Sequence, residues 1–107
     1  MSRPFSYNDE NFTVIGNILF LHSKVTREYK KGSNIIEIPQ AIYDRMYNKS
    51  NQVQITSFKD SDPSDFWVDC GTRKYTDGKY YLYAGNRDIV DYYVGFYMLS
   101  WYFLKDI

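Results

Sequence analysis

The sequence predicts an all-β fold, an antiparallel β-sandwich of jelly-roll type with one short helix around residues 40–47. Three observations carry this. Phe12 to Thr26, FTVIGNILFLHSKVT, reads as a short strand, a reversal and a long strand, because Thr, Val, Ile and Phe suit a pleated, half-buried surface. Turn signals then recur at spacings of roughly a dozen residues, which implies about seven strands in a sandwich or barrel. Only one stretch has helical spacing, and it is about two turns long.

In chain order, Met1 to Asn11 is polar, carries Pro4 and has no period. It is expected to be an arm over residues 1–11, with Phe5 and Tyr7 as its anchoring side chains, ahead of a domain at residues 12–107. Gly16-Asn17 is a two-residue hairpin turn, both residues tolerating positive φ. Arg27 to Asn34 is a charged turn pivoting on Gly32, and Ile35 to Ile38 is a brief strand stopped by Pro39, which has no donor for a ladder. Pro39 to Tyr47 is the helix: proline suits a first turn, and Ile42 and Met46 share a face.

Gln52 to Thr56 alternates polar and apolar, the clearest one-sided strand in the chain. Lys59 to Asp65 is an acidic loop, and Phe66 to Thr76 is a strand that Asp77-Gly78 turns into Lys79 to Tyr83. Ala84 to Asp91 is a loop. Tyr93 to Leu104, YVGFYMLSWYFL, is apolar or aromatic on both faces, so it is expected to be covered on both sides, one by the core and the other by a neighbouring subunit. Tyr97, Leu99, Trp101 and Phe103 are the expected interface residues.

The 107 residues support one domain with a real core. Lys plus Arg balances Asp plus Glu at 13 each, so nothing advertises nucleic acid or an anionic membrane. No stretch reaches membrane-spanning length, and no secretory leader is expected from MSRPFSYNDEN. The single Cys70 leaves no internal disulfide and reads as a small buried residue. Aromatics make up 20% of the chain, 12 of them Tyr, more than a core of this size must hold. Excess Tyr and Trp collect at interfaces and ligand-facing surfaces.

No enzyme, cofactor or metal site is expected. His22 is the sole histidine and reads as a hydrogen-bonded strand residue, since no nucleophile motif accompanies it. Asp60, Asp62 and Asp65 invite a calcium reading, but Pro63 replaces a ligand-bearing position and no Gly or terminal Glu follows. Asn11-Phe12-Thr13 and Asn48-Lys49-Ser50 match glycosylation acceptors, which matter only to a secreted chain. The positive candidate is a glycan- or protein-binding face. Tyr83 and Tyr92, with Trp67, Trp101 and further tyrosines, supply flat surfaces, and Asn86, Arg87, Asp88 and Asp91 supply directional polar groups in the adjoining loop.

Val14-Ile15-Gly16-Asn17-Ile18-Leu19-Phe20, then Lys31-Gly32-Ser33-Asn34-Ile35-Ile36-Glu37-Ile38-Pro39, the Asp77-Gly78 hairpin and an aromatic closing strand form an ordered set over residues 12–104. That set resembles the C-terminal β-sandwich modules of bacteriophage tail fibres, baseplate appendages and head fibres. The opening MSRPFSYNDENFTVIGN is also similar to short virion proteins of crAss-like phages. The chain departs from the fibre pattern in lacking an N-terminal shaft and in placing a helix after Pro39. The resemblance implies a virion structural protein, made in the host cytoplasm, that forms a homotrimer. It also implies contact with other virion proteins or with host-surface polysaccharide, several weak sites acting together. The alternative is a small phage-encoded inhibitor of a host enzyme or defence protein.

Overall fold

The computed structural model describes residues 5–47, 49–57 and 66–105. Its strands are β1 (Tyr7–Asn8), β2 (Phe12–Ile15), β3 (Ile18–Lys24), β4 (Asn34–Ile38), β5 (Ser50–Thr56), β6 (Phe66–Lys74), β7 (Tyr80–Ala84) and β8 (Tyr97–Phe103). The helix α1 (Gln40–Tyr43) lies between β4 and β5. Across the sheet the order is β1-β2-β3-β8-β5-β6-β7-β4, and all neighbours are antiparallel. The all-β class with one short helix is as expected. In place of two face-packed sheets, the strands form a single half-barrel.

The reason lies in the middle of the sheet. β1-β2-β3-β8 and β5-β6-β7-β4 are two four-stranded halves, and β5 stays bonded to β8 through Thr56↔Tyr97, Ile55↔Met98 and Gln54↔Leu99. Those pairs keep the halves in one surface, and right-handed strand twist curls it. The concave side holds the core. Leu19, Leu21 and Met98 from one half meet Val53, Ile55 and Val68 from the other, all buried in one cluster. Burying each such side chain contributes about 1.5–3 kcal/mol before the entropy of ordering is set against it.

Several boundaries differ from the sequence reading. The expected arm of residues 1–11 adds β1 to the sheet edge, with Tyr7 opposite Val14. Asp9 fixes the following turn: its Oδ1 accepts from the Asn11 and Phe12 amides at 2.8 and 2.7 Å. Phe5 lies beneath the Arg45 guanidinium, 4.2 Å from ring centroid to carbon. Of the turn residues Gly16 and Asn17, only Gly16 has positive φ, +63°; this is the pattern of a type II′ hairpin. The Asp77-Gly78 reversal is a three-residue loop. Gly78 N donates to Tyr75 O at 3.0 Å, Tyr75 N donates to Lys79 O at 2.8 Å, and Gly78 sits at φ +83°.

The helix stops early. Arg45 N and Met46 N turn to the carbonyls of Ile42 and Tyr43, three residues back, and Met46 then bridges to Leu104. That bridge draws the chain out of helical geometry after a single turn. The closing strand begins at Tyr97 rather than Tyr93, because Asp91–Tyr93 form a turn of 3-10 helix and Gly95 reverses the chain at φ +94°. At the outer edge, a register shift between Asn34 and Ile36 puts a bulge in β4. The acidic-loop residues Asp60, Asp62 and Asp65, and Asn48 of the second glycosylation-type triplet, lie outside the described residues.

Two buried groups define the chemistry of the core. Burial pushes the Cys70 thiol up to about 12, with the neighbouring Asp69 charge adding to it. Among the described residues the buried Tyr102 hydroxyl has no partner in hydrogen-bonding geometry, and burial raises its pKa well above the ordinary phenol value, with the nearby Ser100 hydroxyl opposing the shift. The nearby Ser100 hydroxyl instead donates to the Gln52 carbonyl at 2.8 Å. Tyr102→Phe is therefore expected to leave stability unchanged or raise it by up to about 1 kcal/mol in urea denaturation; a loss above that size means the hydroxyl is bonded. Cys70 is expected to resist iodoacetamide at pH 8 in the folded protein and to react fully in urea, because the thiolate is the nucleophile.

Candidate functional site

The face of the sheet opposite the core carries a groove where the two halves part. β3, β8, β5 and β6 align His22 with Leu99, Leu99 with Gln54, and Gln54 with Trp67, one row of outward side chains across four strands. One step further along, Phe20 still pairs with Trp101 and Gln52 with Asp69. The backbone ladder between β5 and β8, however, has ended at Gln54↔Leu99. Side chains bridge the gap: Asn51 Nδ2 donates to the Trp101 carbonyl at 2.7 Å, and Ser100 Oγ donates to the Gln52 carbonyl. Carbonyls that a β-ladder would have satisfied are thus satisfied by an amide and a hydroxyl.

The resulting groove measures about 450 Å³, within the range of small-molecule sites. Phe20 and Trp101 form one bank, Gln52 and Trp67 the other, and His22, Leu99 and Gln54 close one end. Trp67 is 45% exposed and Trp101 51%. Phe103 stands edge-on to Trp101, ring centroids 5.1 Å apart, and so holds the indole in place. His22 Nε2 meets Thr13 Oγ1 at 2.7 Å, and Thr13 Oγ1 donates to Asn8 Oδ1 at 2.8 Å. This is the hydrogen-bonded strand histidine expected from the sequence. The described lining contains no Asp, Glu, Lys or Arg.

The four residues expected at a subunit interface all lie on this outward face of β8. Leu99 and Trp101 line the groove, while Tyr97 and Phe103 flank it along the strand. Ile15, Ile18 and Phe103 continue the apolar surface to the hairpin end, where Ile15 is 65% exposed.

The six residues expected to bind a ligand are scattered over separate contacts. Asn86 Oδ1 accepts from Asp69 N at 3.0 Å and its Nδ2 donates to Asp69 Oδ2 at 3.2 Å. Asp88 Oδ1 accepts from Lys31 N at 2.6 Å, beside the Tyr29↔Ile89 bridge that zips this loop to the charged turn. Arg87 stacks over Phe66, which stacks on Tyr93, and Tyr92 meets Tyr93 edge-on, so these residues share one aromatic cluster. Asp91 opens the 3-10 turn. Tyr83 lies on the sheet, covering Gly71 and itself covered by Arg73 at 4.3 Å. Among the described residues, no three His, Cys, Asp or Glu gather as metal ligands.

Phe20, Asn51, Gln52 and Gln54 were not singled out from the sequence. Alternation does place Gln52 and Gln54 on one face. Only the pairing of β5 with β8, some forty residues away, brings that face to Trp101. No helix of the described residues is long and apolar enough to cross a membrane.

An open half-barrel with an aromatic, amide-lined groove defines a class by geometry alone, and known proteins add nothing to it. No family model, curated protein or solved structure matches the chain.

Asn86→Ala and Asp88→Ala are each expected to lower stability by about 1 kcal/mol in urea denaturation, because each removes a loop clamp. Variants as stable as the parent would show that those clamps do not hold the loop.

Proposed function

We propose that this chain is a bacteriophage virion component, a fibre-type β module that works by contact and not by catalysis. The observation that supports the reading is the outward face of β3, β8, β5 and β6, where Trp67, Trp101 and Phe103 stand half bare. Apolar rings held in place on a rigid sheet are suited to recognition, since their conformational entropy is low before binding. The resemblance of residues 12–104 to phage fibre modules supplies the virion setting. Copies associate as a homotrimer through the hairpin end, Ile15, Ile18 and Phe103, which leaves the groove open to a ligand.

Light scattering on the purified protein is expected to give the mass of three protomers, and Phe103→Asp the mass of one with an unchanged circular-dichroism spectrum. A monomeric parent overturns the self-association. Antibodies raised against the chain are expected to label purified phage particles, and the soluble protein to compete with particle adsorption to host cells. A chain absent from particles and found on a host protein overturns the virion reading in favour of an intracellular inhibitor.

A further inference from the structure

We propose that the groove between Trp67 and Trp101 binds a neutral saccharide. The inference rests on reading the outward sheet face as the recognition surface, and it names the ligand of that surface.

Four features of the groove point to this chemistry. The first is a pair of indoles on opposite banks, one from β6 and one from β8. Sugar rings present flat C–H faces, and these stack on aromatic faces as other apolar planes do. The second is the polar set: Gln52, exposed on one bank, with Gln54 and His22 at the closed end. Amides present donor and acceptor together, which suits hydroxyls that do both. His22 has Nε2 engaged with Thr13, so Nδ1 is the ring atom outside that contact.

The third feature is the absence of ionised side chains from the described lining. A phosphate-bearing ligand stacking on the same indoles would call for Lys or Arg along its backbone, and an acidic sugar would call for the same. The described lining residues therefore match a neutral ligand. The fourth is preorganisation. Asn51 accepts from Gln52 N at 2.9 Å and donates to the Trp101 carbonyl, so a single side chain fixes both banks relative to each other. Phe103 buttresses the Trp101 indole. Side chains held this way lose little freedom when a ligand arrives.

This position differs from the loop of Asn86, Arg87, Asp88 and Asp91, whose polar groups include several engaged in holding the fold. Bonding at the groove differs too. The Trp101 and Gln52 carbonyls at the gap are already bonded to Asn51 and Ser100, so an incoming ligand meets side chains there.

The chain contains two tryptophans and both line the groove, so tryptophan emission excited outside the tyrosine absorption band reports on this site. The test titrates the full chain with neutral oligosaccharides built on glucose, mannose, galactose and N-acetylglucosamine. Heparin and a proline-rich peptide serve as the charged and non-sugar probes. A saturable change in tryptophan emission with at least one neutral oligosaccharide is expected, with no comparable change for heparin.

Trp67→Ala, on the exposed face, is expected to weaken that binding about tenfold while leaving mass and circular dichroism unchanged. Gln52→Ala is expected to weaken it about threefold and provides the same test if the tryptophan variant does not fold. Binding by no neutral saccharide, binding that both variants leave intact, or a response confined to heparin or the peptide overturns the inference. Particle labelling separates the two claims. A chain found on particles that binds no neutral sugar sinks the ligand assignment alone; a sugar-binding chain missing from particles sinks the virion reading alone.

Discussion

The architecture depends on how far one ladder runs. β5 and β8 exchange backbone hydrogen bonds over three residue pairs and then separate, although both strands continue, β5 along β6 and β8 along β3. With a longer ladder the sheet would be an unbroken wall with no groove. Without any ladder, the two four-stranded halves would be separate sheets, as a sandwich requires. Partial pairing keeps the core in one cluster on the concave side and opens a slot on the other face. The slot is tolerable because Asn51 and Ser100 satisfy the carbonyls exposed where the ladder stops. Both bonds lie on the exposed side of the sheet, where water would otherwise take the carbonyls, so what these two side chains add is a fixed geometry at the end of the ladder.

Much of the fold was legible because its signals are local. Phe12 to Thr26 gave a strand, a glycine-led turn and a strand, since β-branched and aromatic residues and a residue free to take positive φ act within a few positions of each other. The alternation from Gln52 to Thr56 correctly separated buried Val53 and Ile55 from their polar neighbours. What the sequence hid was non-local. Whether Met46 continues a helix or bridges to Leu104 depends on a residue nearly sixty positions away. The two-sided apolar character of Tyr97 to Phe103 was visible, and its inward residues Met98 and Tyr102 are indeed buried.

The candidate groove was legible in part: Trp67 and Trp101 were read as flat surfaces of a contact face, whereas the amides beside them were not singled out. An excess of aromatic residues beside amides and short acidic side chains announced a surface for contact. The loop from Asn86 to Asp91 drew attention because polar groups cluster there in sequence. In the fold several of those groups hold the loop to β6 and to the charged turn, which explains why Asn86 and Asp88 sit where they do. The groove instead gathers residues from four strands that are not consecutive in the chain, and no local spacing encodes that assembly.

The bulge that interrupts β4 has a bearing on how these molecules crowd together. Open strand edges recruit further strands without limit, the route to fibrils. At one border of this sheet the described residues offer a strand of two, Tyr7 and Asn8. At the other, the register shift beside Ile36, the charge on Glu37 and the ring of Pro39 spoil the template. Stickiness is therefore confined to a face, where contacts are finite in number, so a protein this rich in exposed rings can be concentrated without polymerising edge to edge.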